Sequence, residues 1–232
     1  IKAGGGTRGH DAAIRRLAEA SGAVVALSPG SLGVLAENDP RNMHVGGSKG
    51  SISGNYAMTE ADLLIVIGSR AVCQADCSGI GYKNAKHVIN INYDLTDAQH
   101  YNHTTALVGD IPLVANDLSA LLEASNTGKT PAKSAWFKAC VEKKREWRAF
   151  RDQRLQTEVI MDEVWKRPAL TQPVAIKAVA DFAKTKGAIK YFDAGDVQAN
   201  GFQIVEDDNT GETITETGAS YMGFASSAVL AS

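Results

Sequence analysis

The chain has 232 residues, 44% of them hydrophobic and 22% charged, with a net charge of −2. That is ordinary for one large or two small globular domains with a sizeable core, and it excludes a strongly basic nucleic-acid binder. No apolar run approaches the roughly 20 residues that span a bilayer, so neither nucleic acid nor membrane is expected as a partner.

In chain order, the first half alternates apolar strand-like runs with helical stretches, the pattern of an α/β fold with a parallel sheet. Gly4-Gly5-Gly6 reads as a turn. A helix follows over Asp11 to Ala20, with Ile14, Leu17 and Ala18 on one face and Arg15, Arg16 and Glu19 outward. Gly22 ends it, and Ala23 to Leu27 is a short buried strand. Ser28 to Gly54 is rich in Gly, Ser and Asn without clear periodicity, and a long functional loop is expected there. Asn55 to Glu60 suits a short helix. Asp62 to Gly68, His87 to Asn92 and Thr105 to Val108 suit three further strands. Gly109-Asp110 then turns into a helix from Pro112 to about Ala124, with proline in the first turn where its missing donor costs nothing.

The polar stretch Ser125 to Pro131 reads as a linker. Beyond it, Ala132 to Gln156 is a long helix whose many Lys and Arg residues surround Trp136, Phe137, Val141, Trp147 and Phe150. Glu142, Glu146 and Asp152 dilute the positive charge, so a solvated face over a buried aromatic stripe is expected rather than a nucleic-acid helix. Val174 to Lys184 follows as a helix with Ile176, Val179, Ala180 and Phe182 as its core face. A strand over Ala188 to Phe192 runs into Asp193-Ala194-Gly195-Asp196, Glu206 to Glu212 reads as a loop, and Thr217 to Phe224 opens an Ala/Ser-rich helix.

Ligands in open α/β sheets bind at the C-terminal ends of strands, where loops present backbone N–H groups. Four segments have that position: Gly4-Gly5-Gly6, Gly68-Ser69-Arg70, Asn92-Tyr93-Asp94 and Gly109-Asp110. Glycine lets a phosphate or ribose approach the backbone, Arg70 can offset a diphosphate, and Asp94 can hold ribose hydroxyls. The Gly-x-Gly-x-x-Gly fingerprint is absent, and glycine turns after strands are also ordinary α/β punctuation. The five histidines have no metal-ligand spacing, and no nucleophile elbow appears. Cys73, Cys77 and Cys140 are sparse and odd in number, which fits a reducing, cytoplasmic setting and buried or loop thiols rather than a zinc site.

Longer strings carry a family resemblance. Gly47 to Met58, with Asn55-Tyr56-Ala57, precedes Glu60-Ala61-Asp62-Leu63-Leu64-Ile65 and the Gly68-Ser69-Arg70 turn. Asn90 to Asp94, Val108-Gly109-Asp110, Gln172-Pro173, Asp193-Ala194-Gly195-Asp196 and Thr217 to Ala231 follow in order. Together they resemble the acetolactate-synthase-like thiamine-diphosphate enzymes. The resemblance implies a Rossmann-like parallel sheet flanked by helices over residues 1–127, a helical linker over 128–170, and an incomplete second α/β domain over 171–232 that begins the diphosphate-binding domain.

It further implies a decarboxylase or carboligase acting on a 2-oxo acid or diketone, assembled as a homo-oligomer (dimer or tetramer). The cofactors implied are thiamine diphosphate and Mg²⁺, with FAD or ADP as options in the central domain. Gly5, Arg70, Asp94, Gly109 and Asp110 would lie along the nucleotide, and Gly195, Asp196, Ser220 and Met222 along thiamine diphosphate. Lys49 stands where flavin-binding members commonly have His, and Asp196 where Gln is usual. No residue present is expected to act as acid or base. The chain has no initiator Met before Ile1, and it lacks both the family's pyrimidine domain and its Mg²⁺-binding Gly-Asp-Gly motif. A trimmed product, inactive alone, is therefore expected, with residues beyond about Thr185 packing poorly because their sheet lacks later strands. The alternative is a non-catalytic module that binds a nucleotide or serves assembly.

Overall fold

The computed structural model describes residues 1–72, 81–101, 103–125, 134–216 and 218–232. Six strands form one parallel sheet: β1 (Lys2–Ala3), β2 (Val25–Leu27), β3 (Asn42–Val45), β4 (Leu63–Ile67), β5 (His87–Asn92) and β6 (Thr104–Val108). Their order is β3-β2-β1-β4-β5-β6. The strand order therefore reverses between β1 and β4, where an open α/β sheet offers a crevice. The Rossmann-like architecture expected from the alternating pattern is the one observed.

Both faces of this sheet are covered, which explains why its strands read as continuous apolar runs. Val25, Leu27, Ile65, Ile67 and Ile91 point to one face, where α1 (Asp11–Ser21) and α4 (Ile111–Ser125) bury Ile14, Leu17, Ile111 and Ala115. Alternate residues, Ala26, Leu64, Val66 and Val88, face the other side and meet Met58, Tyr82 and Tyr101. Lys2 is fully buried in β1. Its ammonium donates to the carbonyls of Leu27 (2.9 Å) and Gly46 (3.2 Å), so the charge has oxygen partners at the ends of two neighbouring strands.

The stretch expected as a long loop, Ser28 to Gly54, is more ordered than its composition suggests. It contains a 3-10 turn at Pro29–Ser31, the edge strand β3 and the start of α2 (Ile52–Glu60), whose first turn is capped by Ser51 accepting from the Gly54 N–H at 2.9 Å. β3 lacks a hydrophobic signature because its polar residues, Asn42 and His44, are buried too.

The long helix is α5 (Ala135–Gln156), packed on α2 and β3 through Val24, Met43, Ala57 and Cys140, with Tyr56 stacked on Trp136 at 6.1 Å. Its basic face is not simply solvated, which corrects the sequence expectation. Lys144 and Arg151 are buried, and the Lys144 ammonium donates to the carbonyls of Glu37 and Asp39, both at 2.8 Å. Burial pushes the Lys144 ammonium down to about 8. Nearby, the Glu37 carboxylate pairs with His44 (2.8 Å) and Arg148 (3.2 Å), and these partners overcome burial to hold it below its ordinary range. Hydrogen-bonded carbonyls and a shared carboxylate, rather than apolar contact alone, fix α5 against the 36–45 segment.

A hairpin that the sequence did not announce follows, β7 (Val159–Asp162) antiparallel to β8 (Arg167–Leu170). Then come α6 (Gln172–Thr185), β9 (Lys190–Phe192), α7 (Asp196–Ile204), β10 (Thr213–Thr215) and α8 (Phe224–Ala231), with β9 and β10 as a two-stranded parallel sheet. On α6, Ile176 and Ala180 are buried as expected, but Val179 and Phe182 are 68% and 64% exposed. The expectation of loose packing beyond Thr185 is met unevenly. Phe202, Ile204 and Val205 are buried, and Phe202 and Val205 share a core with Leu32, Val34 and Leu35. Ile189, Val229 and Leu230, by contrast, remain exposed. Among the described residues, no helix is long and apolar enough to cross a membrane. The linker residues 126–131, Thr217, and Cys73 and Cys77 lie outside the described residues, except that the linker's first residue, Ser125, closes α4.

Candidate functional site

Two cavities carry the residues singled out in the sequence. The first lies at the reversal of strand order, where β1 and β4 part. There the Gly4 N–H donates to Ile67 O (2.8 Å) and the Gly6 N–H to Gly68 O (3.0 Å). The approach is so close that a Cβ on Gly4 would sit 2.3 Å from the Gly68 carbonyl oxygen, so only glycine fits. The resulting crevice measures about 310 Å³ and is lined by the three N-terminal glycines, Gly30, Arg8, Arg70, Asn92 and Asp97. Asn92 is anchored by donating its amide to Ser69 O at 3.1 Å. Two guanidinium groups over glycine backbone, with one carboxylate, suit a ligand bearing both anionic and hydroxyl groups.

The structure brings Gly5 and Arg70 together in that crevice, but not Asp94, Gly109 or Asp110. Asp94 instead caps α3 (Leu95–Ala98), accepting the N–H groups of Thr96 (2.8 Å) and Asp97 (3.1 Å). Asp110 caps α4 by accepting from Leu113 N at 3.0 Å, and the Gly109 N–H is spent on Asn92 O at 2.9 Å. Arg8, Gly30 and Asp97 were not anticipated. Arg8 lies two residues past the glycine turn and Gly30 three past β2, so position after a strand was the available signal. Asp97 lies one helical turn beyond Asp94, and nothing local distinguishes it.

The second cavity, about 240 Å³, lies between the 46–50 loop and the start of α7. Ser48, Lys49, Gly195, Asp196, Gln198 and Ser220 line it. Gln203 fixes the loop by donating to Lys49 O at 2.6 Å. The two departures from the family pattern, Lys49 and Asp196, therefore face the same space with opposite charges. Beside them the turn 218–224 is tied by side chains. The Asp193 carboxylate accepts the N–H groups of Gly223 (2.9 Å) and Phe224 (3.1 Å), and these bonds, with that from Ala194, hold it below its usual range. Between the ties, Tyr221 and Met222 stand 68% and 87% exposed. Gly195, Asp196 and Ser220 thus share one cavity, and Met222 projects from the adjoining turn.

Among the described residues, no three His, Cys, Asp or Glu side chains converge on a metal position. Cys140 is free and buried, and burial pushes its thiol up to about 12, which makes it a packing residue.

Comparison with known proteins adds the family context. The model for the thiamine pyrophosphate enzyme central domain matches residues 1–118. Acetolactate synthase 1 (chloroplastic) of Zea mays is 25% identical over 145 residues, which is 62% of this chain and 23% of that protein. The Oryza sativa subsp. japonica acetolactate synthase 1 is 26% identical over 145 residues, 62% of this chain and 22% of its own length. The Nicotiana tabacum acetolactate synthase 1 is 27% identical over 143 residues, 61% and 21% respectively. The match spans less than a quarter of each of these relatives.

Proposed function

The chain belongs to the thiamine pyrophosphate enzymes, with residues 1–118 as their central domain, and from that premise we propose that it serves a thiamine-diphosphate-dependent decarboxylase or carboligase acting on a 2-oxo acid or diketone. In this reading residues 1–127 are scaffold and nucleotide domain, residues 128–170 the linker, and residues 171–232 one wall of the cofactor pocket. The observation that carries it is the family match, which ends inside α4 and so takes in all six strands of the large sheet. The relatives are acetolactate synthases, and a carboligase of that kind is the activity proposed for the full-length protein, working as a dimer or tetramer.

The lining of the second cavity and the turn beside it support this reading. Met222 offers an exposed apolar support for its body, and Gly195 and Ser220 line the adjoining space. The Asp196 carboxylate opposes a diphosphate there, and Lys49 in the same cavity supplies the cation that offsets it. When bound, thiamine diphosphate supplies a nucleophilic carbon and an electron sink for 2-oxo acid chemistry. The residues of this chain bind and orient it. None is assigned proton transfer, and none is assigned to Mg²⁺.

The test is titration of the full-length protein with thiamine diphosphate and Mg²⁺, followed by circular dichroism, together with an assay of pyruvate consumption. Saturable binding with consumption is expected. The absence of both binding and consumption would overturn the reading.

A second reading, nucleotide binding without chemistry, is favoured by the crevice at the strand-order reversal, where Gly5, Arg8 and Arg70 suit the diphosphate of ADP or FAD and Asp97 its ribose. Tight ADP binding by a full-length protein indifferent to thiamine diphosphate would bring that reading to the front.

A further inference from the structure

Gln198 lies in the first turn of α7, almost wholly buried, and its side chain is spent on residues on either side of a single turn. Its amide donates to Thr215 Oγ1 (2.6 Å) and to the carbonyl of Glu216, while its own oxygen accepts from Ser220 Oγ (3.1 Å). Thr215 ends β10, and its hydroxyl donates in turn to Phe192 O at 3.2 Å, on β9. One buried amide therefore links α7, both strands of the small sheet and the turn that leaves it.

Two carboxylates complete the arrangement. Glu216 accepts the N–H groups of Gly218 (2.5 Å), Ala219 (2.9 Å) and Ser220. Asp193 takes those of Gly223 and Phe224. Ser220 is held at φ = +59°, a left-handed conformation that a serine adopts only when its surroundings enforce it. Tyr221 and Met222 fall between the ties, and α8 beyond them buries no residue. Apolar burial thus contributes little to the shape of this turn, and the polar clamp sets it.

We propose that Gln198 is a positioning residue, which with Glu216 and Asp193 holds the turn 218–224 in the shape that presents Met222 to the cofactor. This rests on the thiamine-diphosphate reading above. Gln198 borders the cavity, but its amide nitrogen and oxygen are both engaged within the chain, so it acts through the turn. Its free energy goes into pre-ordering the site, so removing it weakens the cofactor by reintroducing disorder that binding must then overcome.

The experiment uses the full-length protein with Gln198→Ala, Met222→Ala and Ser220→Ala, read by hydrogen exchange across residues 218–224 without cofactor and by thiamine diphosphate affinity. Gln198→Ala is expected to speed exchange in that segment and to weaken the cofactor about tenfold, the scale of one or two lost positioning hydrogen bonds. Met222→Ala should weaken the cofactor while leaving exchange unchanged. Ser220→Ala, which removes one hydroxyl from a partly exposed turn, should speed exchange more weakly, and that exchange readout stands in for Gln198→Ala if that variant does not fold, since Ser220 itself borders the cofactor space. Unchanged exchange and affinity in Gln198→Ala, with Met222→Ala still weakening the cofactor, would overturn the positioning role alone. Unchanged affinity in Met222→Ala would overturn the cofactor reading, and with it the purpose assigned to the clamp.

Discussion

The two parallel sheets of this chain follow the same strand–helix logic and stabilise themselves in different ways. In the six-stranded sheet both faces are covered, and alternate residues of β2 and β4 feed two separate apolar layers. In the sheet of β9 and β10 one helix face stays open, with Val179, Phe182 and Ile189 in solvent, and the chain's course is set by Gln198, Glu216 and Asp193. Apolar burial is concentrated in the first region, and side-chain hydrogen bonds shape the second. A turn can be placed accurately by saturated hydrogen bonds with little core beneath it.

Truncating a side chain in each region is the sharpest way to break that comparison. Leu17→Ala, in α1 under the large sheet, should cost about 3 to 4 kcal/mol, through lost burial and the cavity left behind. Phe182→Ala removes more atoms but from an exposed face, and should change stability by no more than about 0.5 kcal/mol. Urea unfolding of the two variants measures this directly, and equal losses would mean that the α6 face is covered in solution. Backbone substitutions extend the contrast. Gly4→Ala drives a Cβ into the Gly68 carbonyl at 2.3 Å and should cost roughly 3 kcal/mol. Gly211→Ala has φ = +88° but no atom within 4 Å of the added carbon, and should cost only the left-handed backbone term, about 1 kcal/mol.

The same division governs what could be read in advance. β4, β5, α1 and α4 were legible because burial on a covered sheet imposes a period that composition records. β3 was not, because Asn42 and His44 are buried as polar groups and interrupt the apolar signal. The burial of Lys144 depends on the carbonyls of Glu37 and Asp39, more than a hundred positions away, and no local pattern encodes such a pairing. At the candidate site, position after a strand singled out Gly5 and Arg70, which line one crevice. It did not separate them from Asp94 and Asp110, whose carboxylates are occupied as helix caps. Gln198 left no trace because its partners are brought together only by the folded turn.

Arg70 sharpens the comparison from the side of function. It is exposed at the rim of the first crevice, so Arg70→Ala should leave the melting temperature unchanged. If ADP or FAD occupies that crevice, the variant should weaken it about tenfold, and the loss should shrink in high salt. Fluorescence titration with ADP at two ionic strengths is the measurement. Undiminished affinity would place the nucleotide elsewhere and leave the crevice a purely structural junction of β1 and β4.

A pH-dependent effect tests whether the polar ties under α5 belong with the first region or the second. Lys144 is buried yet keeps carbonyl partners that a neutral amine can also satisfy. Burial depresses its ammonium from 10.5 to about 8, against the raising influence of Glu37 and Asp39 and with the lowering influence of Arg148 and Arg151. Between those values the unfolded chain binds more protons at this position than the folded one, so this lysine makes stability rise with pH across the window. Cys140, whose thiol is pushed up by burial to about 12, works in the opposite sense above about pH 9, and Lys143 and Lys184, raised from 10.5 by their carboxylate partners, do so above about pH 10.5. The informative quantity is therefore the difference between the wild-type protein and Lys144→Met, followed by urea unfolding at several pH values from 7.5 to 10.5. The wild type should gain roughly 3 kcal/mol relative to the variant over that range. A constant difference would mean that water reaches the Lys144 ammonium, making the contact beneath α5 as open as the face of α6.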